Sequence, residues 1–415
     1  MKKSTIVFVV LTALFASTAC RSANADARQS VAIAASGNRV QATPEPAASP
    51  QPAKAPVANA APSEENESLI QVALLLDTSN SMDGLIDQAK AQLWRIVNEL
   101  VKAKKGANYA KLQVALYEYG NDSLPSSLGY IRQVLPFSED LDKISESLFA
   151  LRTNGGSEFC GQVTFEAVRD LTWNNSPHNL KVIYIAGNEE YTQGPVPFRK
   201  AGKAASAKHV IINTIHCGGF DEGRRGQWHL GAKGAGGVYA NIDQNKKPIS
   251  IDAPQDDEII ALNAELNATY IAYGSHGRAA SARQAAEDSN ASKMSKSIMA
   301  KRAVSKASRL YNNSSWDLVD ANAQQEVDLR NLDASQLPAE LKGKTSDEIE
   351  AYIAEKAEER AKIQKRIAEL ERERAAYVAA ETAKQQAEGE DTLDDVIVAT
   401  LRKQAEAKGY TFAEM

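Results

Sequence analysis

Four short runs of branched, almost uninterrupted apolar residues constrain the fold of this chain more than anything else in it: LIQVALLL (69–76), LQVALYEYG (112–120), LKVIYIAG (180–187) and HVIINTIHCG (209–218). A strand with one wet face alternates apolar and polar residues, whereas a strand covered on both faces has no such need. Between the runs lie stretches with helical spacing. The clearest follows Ser81, where Leu85, Ile86, Ala89, Leu93, Ile96, Val97 and Leu100 recur at three- and four-residue steps along one face. Shorter helices are expected over about 161–171 and 198–207. Strands and helices in this alternation predict an α/β fold with a doubly wound, mostly parallel sheet, in which YIRQVLPF (130–137) is the antiparallel strand.

The regions before and after the sheet have a different character. MKKSTIVFVVLTALFASTAC begins basic, continues apolar and ends in small residues, the pattern of an export signal over 1–19 that is too short for a lasting membrane span. Its Ser-Thr-Ala-Cys ending resembles a bacterial lipobox, which implies lipidation of Cys20 and a membrane anchor in the cell envelope; cleavage after Ala25 is the alternative and leaves a soluble exported protein. Residues 20–67, rich in Ala and Pro, cannot bury enough apolar surface to offset chain entropy and read as a disordered tether. The sheet domain is expected over 68–245, a helical extension over 246–335 and a charged, coiled-coil-like region over 336–415. In that last region Ile349, Ile353, Ile363, Ile367, Leu370 and Tyr377 follow a seven-residue rhythm that Lys356, Arg360 and Arg374 break. An antiparallel hairpin with a terminal helix over 392–407 is the plain expectation, and self-association through this helix the alternative. WDLVDA (316–321) is expected to dock the extension on the sheet. A net charge of −5 with mixed signs throughout supplies no basic field for phosphates, so nucleic acid is not an expected partner.

The chemistry gathers where the first apolar run ends, at VALLLDTSNSMDG (72–84). Ligands of open parallel sheets bind beyond the carboxyl ends of the strands, and Asp77, Ser79 and Ser81 stand there. Alternate residues in a tight loop can turn one carboxylate and two hydroxyls toward a common point, an oxygen set suited to Mg or Mn. A helix cap made by the same residues is the competing reading. Asp-x-Ser-x-Ser at the end of the first strand resembles the metal-ion-dependent adhesion site of von Willebrand factor type A domains, and the resemblance covers residues 68 to about 245. It implies a divalent cation, a further hydroxyl from a second loop, an aspartate from a third, and a protein partner that offers a carboxylate to the metal. In LRTNGGSEFCG, Ser157 occupies the hydroxyl position; in VIYIAGNEE the aspartate is missing, and Asn188 or Glu189 is the candidate to reach the ion through water.

Cys160 and Cys217 belong to an exported chain, where paired thiols tend to be bridged, and a disulfide clamping the two loops is expected; buried free thiols are the alternative. Zinc at Cys160, His216, Cys217 and His229 is disfavoured, since no paired short spacing occurs and adjacent strand residues point to opposite faces. No nucleophile, base and orienting group recur in a catalytic spacing, so no catalytic residue is assigned and a binding protein is expected rather than an enzyme; a metal-independent envelope scaffold with a vestigial site is the alternative.

Overall fold

The computed structural model describes residues 68–412 apart from 244, 246–249 and 386–392. The expected signal, Cys20 and the tether therefore lie outside the described residues. The strands in chain order are β1 (Leu69–Asp77), β2 (Ala103–Lys105), β3 (Asn108–Tyr109), β4 (Lys111–Tyr119), β5 (Ile131–Ser138), β6 (Leu180–Gly187), β7 (Ile211–Cys217), β8 (Tyr239–Ile242) and β9 (Thr411–Phe412). Six of them form one sheet in the order β5-β4-β1-β6-β7-β8, with β5 antiparallel to β4 and the other pairings parallel. This is the doubly wound class expected from the apolar runs. Strand order reverses direction between β1 and β6, so the chain diverges there and opens a crevice at the carboxyl ends of those two strands.

Every residue of β1 is buried, and its side chains divide by parity between two apolar layers. Val72, Leu74 and Leu76 face the layer that contains α1 (Asp83–Leu100) and α2 (Leu141–Ala150); Ala73 and Leu75 face the layer of α3 (Cys160–Asp170) and α4 (Phe198–Ala207). Two short helices, α5 (Phe220–Arg225) and α6 (Trp228–Lys233), lead into β8. The extension adds α7 (Asp256–Asn267), α8 (Gly277–Met294), α9 (Lys296–Lys306), α10 (Leu318–Ala323), α11 (Ser346–Gln385) and α12 (Leu393–Ala407).

The end of the chain completes the core of the sheet. Val396, Ile397, Leu401 and Ala405 of α12 join the same buried cluster as Leu74 and Leu76. The Tyr184 hydroxyl on β6 meets Thr400 Oγ1 at 2.8 Å, and Asn213 Nδ2 on β7 donates to Gln404 Oε1 at 3.0 Å. Tyr410 then donates to the carbonyl of Leu69 at 2.8 Å, and β9 pairs with β2. α12 packs against α1, whereas α11 packs against α7, α9 and α10, so the two do not form the expected hairpin with each other.

The residues that break the rhythm of α11 explain this arrangement. Arg360 is buried and donates to Asp317 Oδ2 at 2.7 Å, Asp320 Oδ1 at 2.6 Å and the Thr269 carbonyl at 2.7 Å. Arg374, also buried, donates to Asp256 Oδ1 at 2.6 Å and Ser297 Oγ at 3.0 Å. Both arginines anchor α11 to the extension where a coiled coil would place apolar knobs. WDLVDA does not dock on the sheet: its Asp317 caps α10, accepts from the Ile271 amide and holds Arg360.

A second buried network joins the extension to the sheet. Arg302 on α9 is fully buried, with Nε 2.6 Å from Asp288 Oδ1 on α8 and Nη2 2.9 Å from Asp142 Oδ1 on α2. Its guanidinium lies over the Trp94 ring of α1, 4.8 Å from the centroid, and Lys306 completes the network at 2.9 Å from Asp288 Oδ2. Removing one partner of such a pair strands the other in low dielectric, so Arg302→Ala should destabilise the protein by about 3–5 kcal/mol. Urea unfolding followed by tryptophan fluorescence and by circular dichroism measures this. One shared transition at lower urea is expected, while a sheet that melts unchanged would show that the extension is an independent unit.

Candidate metal centre

The site is built from three loops at the carboxyl edge of the sheet, where Asp77 is in register with Tyr119 and Gly187 with His216. Asp77 ends β1 on the α3 side and is fully buried. Its Oδ1 accepts the Ser79 amide at 2.8 Å, which shapes the turn into α1. Its Oδ2 is buried and has no hydrogen-bond partner. The Ser79 and Ser81 hydroxyls lie 3.2 Å apart, Ser79 buried and Ser81 exposed. Neither serine side chain caps a helix, so the cap reading does not account for them.

The second loop, between α2 and α3, is fastened to the first. The Asn154 amide donates to the Thr78 carbonyl at 2.9 Å, and Asn121 Nδ2, just after β4, donates to the Arg152 carbonyl at 2.9 Å and to Thr78 Oγ1 at 3.3 Å. Thr153 hydrogen-bonds to Asp83 at the start of α1. Ser157 is partly buried on this loop, and the side chain that turns inward beside it is that of Glu158, which is buried. A Cβ at Gly120 would stand 2.8 Å from Asp77 Oδ1 and 2.9 Å from Glu158 Cγ, so the two acids converge over a residue that has no side chain and a φ of +77°.

The third loop carries Asn188 and Glu189. Asn188 Nδ2 donates to Ser81 Oγ at 3.1 Å, while its Oδ1 is buried with no partner. Glu189 is exposed; Gln193 reaches its carboxylate at 3.4 Å and Trp228 Nε1 donates to its carbonyl at 2.7 Å. His216 Nε2 lies 3.1 Å from the Asn188 carbonyl, so β7 and α6 together fix the position of this loop. Gly187 is required by closeness: a Cβ there would collide with the Tyr119 hydroxyl and stand 3.0 Å from Asp77 Oδ2.

Asp77, Ser79, Ser81 and Asn188 are thus brought together, Ser157 precedes the buried Glu158 on the second loop, and Glu189 is exposed. Glu158 was not singled out by sequence reasoning, because the direction of a side chain in an irregular loop has no periodicity to reveal it. Its only sequence signal was its place next to Ser157.

The expected disulfide is absent. Cys160 and Cys217 are both free and buried, and they belong to the two different apolar layers, so the sheet stands between them. Cys160 lies 3.7 Å from the Tyr119 hydroxyl, and burial pushes both thiols above their ordinary range. The strand also separates Cys217, which joins the α1 layer, from His216, whose ring lies against Trp228, and among the described residues no group of three or more His, Cys, Asp or Glu could hold a metal. Any ion at Asp77 would rely on hydroxyl and amide oxygens as well as carboxylates. Two orphaned buried oxygens, Asp77 Oδ2 and Asn188 Oδ1, together with the serine hydroxyls, form a hard-oxygen set that fits Mg or Mn.

Several solved structures are similar to the chain. They include the conserved hypothetical protein BatB from Bacteroides thetaiotaomicron, at 19% identity over 42% of this chain and 90% of that one with a TM-score of 0.33. An aerotolerance-related membrane protein from Bacteroides fragilis matches at 18% over 42% and 93%, TM-score 0.29. A von Willebrand factor type A protein from Catenulispora acidiphila matches at 16% over 42% and 39%, TM-score 0.32. No protein-family model and no curated protein matches the chain. The fold assignment rests on strand order and register, which define a doubly wound α/β protein with an oxygen-rich crevice at the β1/β6 divide.

Burial raises the Asp77 carboxyl to about 8; the Ser79 amide opposes this and the charge of Glu158 adds to it. Burial, followed by the charge of Glu189, raises Glu158 to about 7, against the pull of the Ser79 hydroxyl. A carboxyl that titrates higher folded than unfolded contributes its stability fully below its unfolded value near about 4 and loses it as pH rises through the folded value. Metal-free protein should therefore lose stability between about pH 4 and pH 9, and Asp77→Asn, which has no charge to bury, should lose less. Melting temperatures in chelator should differ little at acid pH, with the variant pulling ahead as pH approaches 8; a constant offset across the range would contradict the assignment.

Proposed function

We propose that the chain is a binding protein that holds a divalent cation, Mg or Mn, at Asp77, Ser79, Ser81, Ser157 and Asn188, and uses it to engage a carboxylate on a protein partner. The observation that carries this reading is Asp77 Oδ2, a buried carboxylate oxygen without a hydrogen-bond partner, on a side chain whose neighbouring loops also carry the Ser79 and Ser81 hydroxyls and the orphaned Asn188 Oδ1. An unpaired buried carboxylate is costly, and a cation or a proton is what relieves it. When bound, the cation supplies a Lewis-acidic point that attracts an anionic group. The chain's residues position it: Ser79 through its amide fixes the Asp77 carboxylate, and His216 and Trp228 hold the loop that presents Asn188. Binding rather than turnover is the proposed activity.

The setting proposed is the cell envelope, with the export signal, Cys20 and the tether placing the domain at a membrane surface; among the described residues no helix is long and apolar enough to cross one. The runner-up, a metal-independent scaffold, is favoured by Asn188, an amide where type A sites carry an aspartate. In that case a proton on Asp77 would serve in place of the metal.

Two measurements separate the readings. Because binding must displace the proton on Asp77, affinity for Mn should rise as pH increases toward 8, and calorimetry in buffers of different ionisation enthalpy should record proton release. At a hundredfold excess over the dissociation constant the cation should add about 2.7 kcal/mol of stability. Asp77→Ala should abolish this gain and the carboxylate-dependent capture of a partner together. Melting curves identical with Mn and with chelator would leave the scaffold reading standing.

A further inference from the structure

We propose that Glu158 is an internal ligand of the cation held at Asp77, and that its carboxylate takes the coordination position a partner's carboxylate must occupy, so that the centre is closed until Glu158 is displaced. The inference rests on the metal reading above and adds a residue and a regulatory step to it.

The geometry carries the argument. Glu158 is 7% exposed although it is ionisable and belongs to an irregular loop, where a carboxylate would ordinarily turn to solvent. It turns inward beside Asp77 instead: Glu158 Cγ and Asp77 Oδ1 lie 2.9 Å and 2.8 Å from the point where a Cβ of Gly120 would stand. The strongest charges bearing on Glu158 are those of Glu189 and Asp122, both negative, and the charge felt by Asp77 is that of Glu158. Neighbouring buried carboxylates repel one another in a medium of low dielectric, and a divalent cation held by both would reverse the sign of that interaction. The independent observation is that Asp77 keeps a second buried oxygen, Oδ2 beside Gly187, without a hydrogen-bond partner, while its Oδ1, held by the Ser79 amide, is the oxygen that stands near Glu158.

Charge balance turns this arrangement into a gate. Asp77 and Glu158 together carry two negative charges and neutralise one divalent ion. A third carboxylate from a partner would leave the centre net negative beside Glu189, so the partner's group is favoured only when Glu158 leaves. The loop is fastened at the Arg152, Asn154 and Gly155 backbone on one side and at the start of α3 on the other, where the Cys160 amide donates to the Glu158 carbonyl, so it is the Glu158 side chain that would move. At Gly156 a Cβ would stand 2.5 Å from the Gly120 carbonyl, so the loop is pressed against the end of β4 and holds Glu158 over the centre.

The test uses the full chain, Mn as the metal and acetate as the carboxylate probe, with Glu158→Gln and Glu158→Ala as variants. Water-proton relaxation counts the waters on bound Mn, and calorimetry gives affinity. The proposal expects both variants to bind Mn about tenfold or more weakly, to carry at least one more water on the ion, and to let acetate displace water where the wild type does not. In chelator the melting temperature of Glu158→Gln should equal or exceed that of wild type at pH 8, which separates loss of a ligand from loss of folding. Wild type and both variants binding Mn with equal affinity and hydration would overturn this inference and leave the metal reading intact. Failure of the wild type to bind Mn would overturn both.

Discussion

The structure depends on covering β1 on both faces. A strand buried along all nine residues needs two layers above and below it, and the residues between the strands supply only part of that cover. On one face α3, α4 and Trp228 close the core; on the other, α1 and α2 are completed by α12, which arrives from the far end of the chain. The second half of the sequence is therefore structural to the first, and Tyr410 donating to Leu69 closes the circuit.

Buried cations make that long-range closure specific. Apolar faces alone would let α-helices of an extension slide or pair with one another, but Arg302, Arg360 and Arg374 each require particular acceptors. Arg302 fits only where Asp142 of the sheet domain and Asp288 of the extension meet. The same physics operates at the centre with the sign reversed. There the protein buries carboxylates without arginines, and the unmet demand for positive charge is what gives Asp77 and Glu158 their chemical character.

The divide between β1 and β6 brings these two themes together. The crevice exists because strand order reverses there, and its walls are as close as glycines allow, with Gly187 against Tyr119 and Asp77, and Gly156 against the end of β4. Carboxylates buried among such close backbone have few donors in reach, so a proton or a cation is the available answer to their burial.

From the sequence alone, the strand runs, the parallel sheet, the antiparallel β5 and the placement of Asp77, Ser79 and Ser81 at a strand's end were legible, because each follows from local periodicity and from the rule that apolar residues bury. The small sheet of β2, β3 and β9, the separation of Cys160 from Cys217, the anchoring role of Arg360 and Arg374, and the inward turn of Glu158 were not. Each depends on which segments distant in sequence become neighbours in space, and no local pattern records that. Two thiols on loops near one edge looked pairable until the sheet placed them on opposite faces; two arginines looked like flaws until the acids of α7 and α10 met them. The sequence by itself determined that a carboxylate and two hydroxyls stand at the end of β1, and only the tertiary structure decided that Asp77 and Glu158 are buried there, because burial and charge balance are properties of the assembled protein.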